Sequence, residues 1–489
     1  MTATRRRARR WTLVAAALMT ACGGLRRGEP ATPPRLTHGV AVGEVSDAGA
    51  VVWGRCDQTS RLQVRVGDAS PSEVAVDASR DFTGRIALTG LAPNTPYTYR
   101  AWCGDNEGDG LDGHFTTAPA PDAARPLRIV WSGDLGGQNV CRDAARGYPI
   151  FAVMAARKPD LFIALGDMIY GDDTCYGTGR YGNAQIEGPP AARSRAGYWA
   201  HWRYNRADPG HQAFLASTPM AAVWDDHEIV NDAGPAHDSP PLQPAVHLLA
   251  PAMEAFLDYQ PLLPPAAEPT RLYRSQRWGK HVEIFFLDTR QYRDANDAAD
   301  DPAAPKSMLG PQQRRWLEEA VAASTATWKI IVASVPLSVP TGDGFASGET
   351  DRGFEREAAE LFAVLHQRGV YNPLWLTTDV HFATGALYRP IADDPQWESR
   401  ELISGPLNAG IFPLRGLDPT FRPERLYFYA PPSADSVASF DDAVRWFNFG
   451  VLEVLASDAA IGPENALRCA GRSSVMTATP SSISSRRSS

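Results

Sequence analysis

The sequence contains few cysteines, and no two of them form a Cys-x-x-Cys pair. The six cysteines are Cys22, Cys56, Cys103, Cys141, Cys175 and Cys469. Without closely spaced pairs, a structural zinc site of the common thiolate kind is not expected. Residues 1–22 are interpreted below as an export signal. If Cys22 is lipidated or removed, five cysteines remain and at least one is unpaired. Disulfides are allowed in an exported chain. Cys141 and Cys175 each follow a predicted strand whose end, described below, carries a candidate site residue. These two cysteines are therefore one candidate disulfide pair.

An excess of basic residues is also missing. Lys and Arg number 48 against 56 Asp and Glu, which gives a formal net charge of −8. Five of the arginines precede Cys22, so the rest of the chain is more acidic still. An acidic chain argues against nucleic-acid binding and suits a protein that collects cations.

Long apolar runs are absent except near the N-terminus. Residues 11–21 are apolar, follow a cluster of arginines and are too short to span a membrane, so residues 1–22 are predicted to be an export signal. The Arg9-Arg10 pair resembles a twin-arginine signal, which implies the twin-arginine export machinery as a partner. Met19-Thr-Ala-Cys22 resembles a lipoprotein cleavage box, and both a lipid anchor on Cys22 and plain cleavage nearby remain open. We expect an exported protein of the periplasm or the cell surface, with membrane anchoring as the open point.

Residues 37–118 are predicted to form a small β-sandwich. Residues 50–56 and 62–66 show partial alternation of apolar and polar side chains, as short strands do. Residues 91–99 follow a Leu-x-Pro-x-Thr-x-Tyr-x-Tyr pattern, which resembles a fibronectin type III strand with its tyrosine corner. We expect Trp53 to be the core tryptophan of this sandwich.

Cys56 and Cys103 of this domain are expected at the same end of neighbouring strands. A disulfide and two free buried thiols both fit that placement. No catalytic constellation is visible in residues 37–118, so the domain is expected to pack against the rest of the chain or to shield its cleft.

Residues 126–455 alternate between strand and helix patterns, which is typical of a layered α/β domain. The predicted strands are residues 127–132, 161–165, 221–224, 282–287, 328–335 and 374–376, and the predicted helices are residues 247–259, 311–324 and 355–368. Residues 171–220 are rich in Gly and Arg with little periodicity, and are expected to form long loops over the site. Residues 460–489 are rich in Ser, Thr and Arg and are expected to be disordered.

Acidic, phenolic and imidazole side chains follow the predicted strands directly. They are Asp134, Asp167, Tyr170, Asp225, Asp226, His227, Asp379 and His381. Because layered α/β sheets place their chemistry at the carboxyl ends of strands, we expect these side chains to converge. So many carboxylates would repel one another, and bound cations are the simplest compensation. Two cations sharing a carboxylate would activate a water and neutralise phosphoryl charge, which suits hydrolysis of phosphate esters.

Each of these residues taken alone has an ordinary structural interpretation. Asp134 would serve as a turn aspartate, Tyr170 as a packed aromatic and His381 as a core histidine. Asp225 and Asp226 would serve as a helix cap. Their joint occurrence at four strand ends favours the metal site over four unrelated structural roles.

Three motifs carry a specific resemblance. Gly-Asp-x-x-Tyr (166–170), Trp-Asp-Asp-His-Glu (224–228) and Asp-Val-His (379–381) resemble the alkaline phosphatase D (PhoD-like) family of metallophosphoesterases. The resemblance extends over residues 37–455 and includes that family's N-terminal β-domain. It implies an α/β fold, a calcineurin-like metallophosphatase α/β sandwich over residues 126–455, preceded by a small fibronectin III-like β-sandwich. It also implies an exported phosphoesterase that hydrolyses phosphate mono- or diesters by attack of a metal-bound hydroxide.

The resemblance further implies ligands for two metal ions. They are Asp134, Asp167, Tyr170 and His381 for the first metal, and Asp226, Asp379 and the weaker candidate Asn231 for the second, with Asp167 bridging. The first metal would be Fe³⁺, coloured by its bond to a phenolate, and the second Ca²⁺ or another divalent ion. His227 would be the catalytic residue that faces the substrate, while Asp225 would lie behind the ligands.

The first strand end departs from the family pattern. Much of the family has a cysteine there in a Ser-Cys-Gln-like turn, whereas this chain has Ser132-Gly-Asp134, closer to the turn of purple acid phosphatases. A carboxylate in place of a thiolate makes the first site harder, which affects metal identity more than the reaction. Arg203 and Arg206 are the candidates for binding substrate phosphate. A non-catalytic surface-binding protein with a relic metal domain is the alternative function.

Overall fold

The computed structural model describes residues 32–235, 245–348, 353–371, 373–455, 467–471, 474–479 and 482–486. The predicted export signal and Cys22 lie outside these residues. Among the helices within them, none is both long and apolar enough to cross a bilayer.

The N-terminal domain is a sandwich of two antiparallel sheets. Its strands are β1 (Leu36–Gly43), β2 (Gly49–Cys56), β3 (Ser60–Val66), β4 (Ser72–Val76), β5 (Thr83–Thr89), β6 (Pro96–Cys103) and β7 (Leu111–Thr116). One sheet has the order β1-β2-β5 and the other β4-β3-β6-β7. The tyrosine-corner pattern has the expected contact, because the Tyr97 hydroxyl accepts a hydrogen bond from the Ala92 N–H at 2.8 Å.

Trp53 does not lie in the core of this sandwich, contrary to the prediction. Alternate residues of β2, Val52 and Cys56 among them, face the sandwich core. Trp53 has the opposite parity, so its ring faces the larger domain, where its Nε1–H donates to the Asp258 carbonyl at 2.7 Å. It is fully buried there and packs in the same cluster as Phe214.

Two further sheets form the centre of the larger domain. Their strands are β8 (Leu127–Ser132), β9 (Leu161–Ala164), β10 (Met220–Ala222), β11 (Arg274–Trp278), β12 (Val282–Phe286), β13 (Trp328–Val332), β14 (Leu374–Thr377), β15 (Ala383–Tyr388), β16 (Ser399–Ile403), β17 (Glu424–Tyr429) and β18 (Gly450–Val454). One sheet has the order β11-β12-β13-β14-β16-β15-β17, while β18-β8-β9-β10 continues directly into β1-β2-β5. Strands β8, β9 and β10 are mutually parallel, as are β12, β13, β14 and β16. Apolar side chains from both sheets, such as Ile129, Ile163 and Val332, share one core between them.

Helices cover the outer faces of these sheets. They are α1 (Ile150–Ala155), α2 (Arg195–Arg206), α3 (Pro209–Ser217), α4 (Ala245–Tyr259), α5 (Gly310–Ala323), α6 (Glu355–Gln367) and α7 (Phe440–Trp446). Helix α6 buries Ala358, Leu361, Phe362 and Leu365, the face predicted from their spacing. It ends before Gly369, whose φ of +72° suits glycine. The result is a layered helix–sheet–sheet–helix domain.

Residues 171–220, predicted to be loops, contain two helices. Helix α2 begins after Ser194, which caps the Gly197 N–H at 3.3 Å, and α3 begins after Asp208, which caps the His211 N–H at 2.9 Å. The buried residues of α2 are Tyr198, His201, Trp202, Asn205 and Arg206. Their spacing is helical, but three of the five are polar, so apolar periodicity does not reveal the helix.

The described carboxyl-terminal residues are strands. Their backbone forms β19 (Leu467–Gly471), β20 (Ser474–Thr479) and β21 (Ser482–Arg486), and the rest of the segment 460–489, predicted to be disordered, lies outside the described residues. They extend the sheet antiparallel from β18. An edge strand such as β18 offers unpaired backbone groups that favour such additions.

Candidate metal centre

The candidate ligands lie on loops that leave the carboxyl ends of β8, β9, β10 and β14. Four of them have backbone dihedrals in the left-handed region: Asp134 (φ 64°), Asp167 (φ 52°), Asp379 (φ 76°) and His381 (φ 60°). This region is disfavoured for residues with a side chain and is enriched at functional sites, where surrounding structure imposes it. The loop geometry therefore directs side chains from three of these four strand ends towards one another.

Asp134, Tyr170 and His381 meet in one cluster. The Tyr170 hydroxyl lies 3.4 Å from Asp134 Oδ1 and 3.2 Å from His381 Nε2. The same Asp134 oxygen lies 3.3 Å from His381 Nε2. All three side chains are buried. A phenol, a carboxylate and an imidazole thus present one atom each to a common point, and their binding of a first metal stays a prediction.

Neighbouring groups fix these three side chains. The Thr378 hydroxyl donates to Asp134 Oδ2 at 2.8 Å, and His381 Nδ1 lies 2.5 Å from the Gly410 carbonyl. Because that carbonyl accepts a hydrogen bond from Nδ1–H, Nε2 presents its lone pair to the cluster, the usual arrangement of a metal-binding histidine. Burial lowers the pKa of His381 to about 3 and raises that of Asp134 to about 7.

Four carboxylates form the adjacent cluster. Asp167, Asp225, Asp226 and Asp379 each offer an oxygen, and these oxygens all lie within 4.8 Å of one another. One oxygen each of Asp167, Asp225 and Asp379 is buried without a hydrogen-bond partner. Burial, reinforced by the neighbouring carboxylates, raises the pKa of Asp167 and of Asp379 well above the usual range.

Orphaned buried oxygens of this kind are costly unless something positive binds them. Hard oxygen donors suit hard cations, and the mixed set around Tyr170 suits a trivalent or borderline one. The chemistry of these donors therefore fits bound cations. Asp167 Oδ1 also accepts the His227 N–H at 3.1 Å, and the charges of Asp134 and Asp167 add to burial in raising the pKa of Tyr170.

Arg290 provides positive charge beneath the carboxylates. It is fully buried, and its Nε donates to Asp225 Oδ1 at 2.5 Å. Its Nη2 lies 2.7 Å from Asp343 Oδ2 and 3.7 Å from Asp226 Oδ1. Arg290 and the Ser334 hydroxyl, at 2.7 Å, thus hold Asp225 Oδ1, while Asp225 Oδ2 has no hydrogen-bond partner.

Glu228 joins two of the loops. Its carboxylate accepts the backbone N–H groups of Asp167 at 2.9 Å, Met168 at 2.8 Å and Asp225 at 2.8 Å. The side chain is 1% exposed. Three donors on one carboxylate fix the β9 and β10 loops relative to each other, a role that the sequence analysis did not foresee.

His227 stands beside the clusters with a carboxylate of its own. Its Nδ1 lies 2.7 Å from Asp172 Oδ1, and its ring lies against Tyr170 with a centroid distance of 4.1 Å. Burial opposes the charged form, but the negative charges of Asp172 and Asp226 outweigh it and raise the pKa of His227 to about 10. Asp172, two residues after Tyr170, is another functional neighbour that the sequence analysis missed.

Asn231 differs from the other candidate ligands. It is exposed, and its backbone N–H donates to Asp172 Oδ2 at 2.9 Å. The next residue, Asp232, joins Asp226 and Asp343 in a third group of close carboxylates. Asp343 comes from a Thr-Gly-Asp-Gly turn after β13, where the sequence shows only an ordinary turn pattern.

Arg203 and Arg206, the candidates for phosphate binding, lie away from both clusters. Arg203 Nη1 donates to Asp81 Oδ2 at 2.5 Å. Arg206 is 2% exposed; its guanidinium lies over the Trp53 ring at 4.8 Å and donates to the Tyr259 carbonyl at 2.9 Å. The contacts of Arg203 with Asp81 and of Arg206 with Trp53 join the β-sandwich to the larger domain, and the assignment of these arginines to substrate stays an untested prediction.

Two disulfides are present, and both match candidate pairs from the sequence. Cys56–Cys103 links β2 and β6 across the sandwich. Cys141–Cys175 links the loop after β8 to the loop after β9, on which Asp134 and Tyr170 stand. The second disulfide therefore restrains the surroundings of the metal centre.

Family models agree with this geometry. The model of the PhoD-like phosphatase family matches residues 131–454, and the model of its N-terminal domain matches residues 23–119. The chain belongs to the PhoD-like phosphatase family. Its predicted fold class, a metallophosphatase α/β sandwich after a small β-sandwich, is confirmed by the layers described above.

Individual relatives show the extent of the similarity. Alkaline phosphatase D of Bacillus subtilis (strain 168) is 28% identical over 320 residues, which are 60% of this chain and 52% of that protein. The match thus spans about half the length of this curated relative. A solved structure of PhoD has a TM-score of 0.72 at 18% identity, covering 93% of this chain and 92% of its own. A purple acid phosphatase from yellow lupin (Lupinus luteus) seeds has a TM-score of 0.57 at 13% identity, covering 93% and 73%. These two structures share the fold.

Proposed function

We propose that this protein is an exported, metal-dependent phosphoesterase that hydrolyses small phosphate mono- or diesters. The observation that carries the proposal is the set of buried, unpartnered carboxylate oxygens on Asp167, Asp225 and Asp379 beside the Asp134–Tyr170–His381 cluster. Export rests on the twin-arginine pattern at Arg9-Arg10.

In this proposal, Asp134, Asp167, Tyr170 and His381 bind Fe³⁺, and Asp167, Asp226 and Asp379 bind Ca²⁺ or another divalent ion. When bound, the two cations would supply Lewis-acid activation of a water and neutralisation of phosphoryl charge. Asn231 remains a weaker candidate ligand.

The chain's own residues would position and stabilise the reacting groups. His227, oriented by Asp172, would donate a hydrogen bond to a phosphoryl or leaving-group oxygen. Glu228 would keep the two metal-bearing loops at a constant separation. Arg290 would limit the repulsion among the carboxylates.

The decisive experiment measures hydrolysis of p-nitrophenyl phosphate and of its bis ester by metal-loaded protein. Asp167→Asn should abolish turnover of both while the far-UV circular dichroism stays unchanged. Asp122→Asn, on an exposed carboxylate outside the site, is the matched control and should retain full rate. Full activity of Asp167→Asn would refute the bridging role.

The identity of the bound metal can be measured separately from activity. The natively exported protein should contain iron by elemental analysis and show a visible phenolate-to-iron absorption band, which Tyr170→Phe should remove. Absence of turnover of both substrates by metal-loaded protein would instead favour the alternative, a surface-binding protein with a relic metal domain.

A further inference from the structure

Arg415 is an exposed cation at the edge of the metal centre. Its guanidinium carbon lies 6.0 Å from the centre of the Phe412 ring. Phe412 in turn stacks on His381, with a centroid distance of 4.5 Å and an interplanar angle of 26°. One aromatic ring therefore separates the Arg415 charge from a predicted metal ligand.

The segment that carries Arg415 is held in place. Leu414 and Leu417 pack against an apolar cluster that includes Val380, the residue between Asp379 and His381. Arg415 Nη1 also donates to the Pro340 carbonyl at 3.0 Å. Pro340 lies in the loop that contains Asp343, so Arg415 is anchored between two loops of the metal centre.

Within the part of the chain that the structure describes, the guanidinium of Arg415 has no acidic partner. Among the described residues, no carboxylate lies within ion-pair distance of its guanidinium, whereas Arg290, Arg203 and Arg55 all have carboxylate partners. Its contact with Pro340 uses one of five N–H donors.

We propose that Arg415 is a substrate-binding residue that selects phosphate esters whose alcohol portion carries a second anionic group. The inference rests on the proposed phosphoesterase function and extends it to the substrate class. The scissile phosphate would occupy the metal clusters, and a carboxylate or a further phosphate on the alcohol side would meet the guanidinium. Arginine suits this role because its planar fork pairs with carboxylate and phosphate oxygens.

The test compares two esters of similar shape, 4-carboxyphenyl phosphate and the uncharged 4-acetylphenyl phosphate. Arg415→Gln should lower kcat/KM for the carboxy ester about 10-fold, the effect of one charge-assisted hydrogen bond. It should leave the acetyl ester within about twofold, because that substrate lacks the second charge. Arg415→Lys should restore part of the preference, since it keeps the charge without the fork.

Arg422→Gln is the matched control, an exposed arginine in the same stretch of chain, and should change neither value. Equal losses on both esters, or no loss on either, would overturn the role of Arg415. If wild-type protein hydrolyses neither ester, the proposed function fails. Calorimetric titration with phenylphosphonate and 4-carboxyphenylphosphonate, which are not hydrolysed, then decides the binding role alone. A preference for the carboxy compound that disappears in Arg415→Gln supports it, and equal affinities overturn it.

Discussion

In the absence of bound metal, this protein should lose stability as the pH rises. Asp134 is fully buried, and burial raises its pKa from 3.8 to about 7. Between these two values the folded chain keeps a proton that the unfolded chain has released. The folded state therefore binds more protons, and the free energy of unfolding must fall with increasing pH.

The size of the effect follows from the shift. A difference of roughly three pKa units corresponds to about 4 kcal/mol for this one carboxyl, at 1.36 kcal/mol per unit. Between pH 5 and pH 8 about 3 kcal/mol of this would be lost, because the change is complete just above pH 7. Domains are typically stable by 5–15 kcal/mol, so the loss is a large fraction of the total. Burial raises the pKa of Asp225 to about 7 as well, which acts in the same direction.

The measurement is guanidinium unfolding followed by the fluorescence of the 13 tryptophans, in chelator at pH 5 and pH 8. Asp134→Asn removes this titration and should reduce the pH dependence by about 3 kcal/mol. Metal-loaded protein should not lose stability over this range, because bound cations favour the ionised carboxylates. A metal-free protein that is equally stable or more stable at pH 8 would refute the reasoning.

Three further variants test other contacts. Arg290→Leu leaves buried Asp225 and Asp343 without their cation, which should destabilise metal-free protein by about 3–5 kcal/mol; denaturation with added Ca²⁺ should recover part of this, and an unchanged midpoint would contradict the charge argument. Replacing Cys141 and Cys175 together by Ser removes a link across 34 residues, worth about 4 kcal/mol of loop-closure entropy; thermal unfolding without reductant, which keeps Cys56–Cys103 in both proteins, checks it, and an unchanged midpoint would contradict it. Asp81→Ala leaves buried Arg55 unpaired, at a cost of about 3–5 kcal/mol. Because Arg55 and its other partners lower the pKa of Asp81 despite burial, this contribution is present above about pH 4 and lost as the pH falls further, so Asp81→Ala and wild type should converge in acid.

The convergence of the side chains at the strand ends could be predicted because their signal is local. An apolar strand followed at once by Asp134, Asp167 or Asp379 specifies both burial and the edge of the sheet where the side chain emerges. The two candidate disulfides were predictable for a related reason, since both pairs of cysteines follow recognisable strands.

The buried ion pairs between residues far apart in the chain have no such local signal in the sequence. Arg290 and Asp343 are joined only by the folded structure, and nothing near either residue in the sequence indicates the buried ion pair. Helix α2 was missed because His201, Asn205 and Arg206 occupy its buried face, where apolar residues are the usual indicator. The misassignment of Trp53 has a third origin: the alternation of β2 gives two faces but does not say which one meets a second domain.

The pairing of β1 with β10, which places the β-sandwich and the larger domain in one sheet, affects the order in which the molecule folds. Trp53 donates its indole N–H to a carbonyl 205 residues further along the chain, and Gly43 pairs with Met220 in the parallel contact that joins the two domains. During synthesis, the β-sandwich therefore presents an uncovered tryptophan face until α4 has left the ribosome. The first hundred residues of the chain therefore acquire their final contacts late in folding. Chains truncated before α4 would expose an apolar surface that favours aggregation.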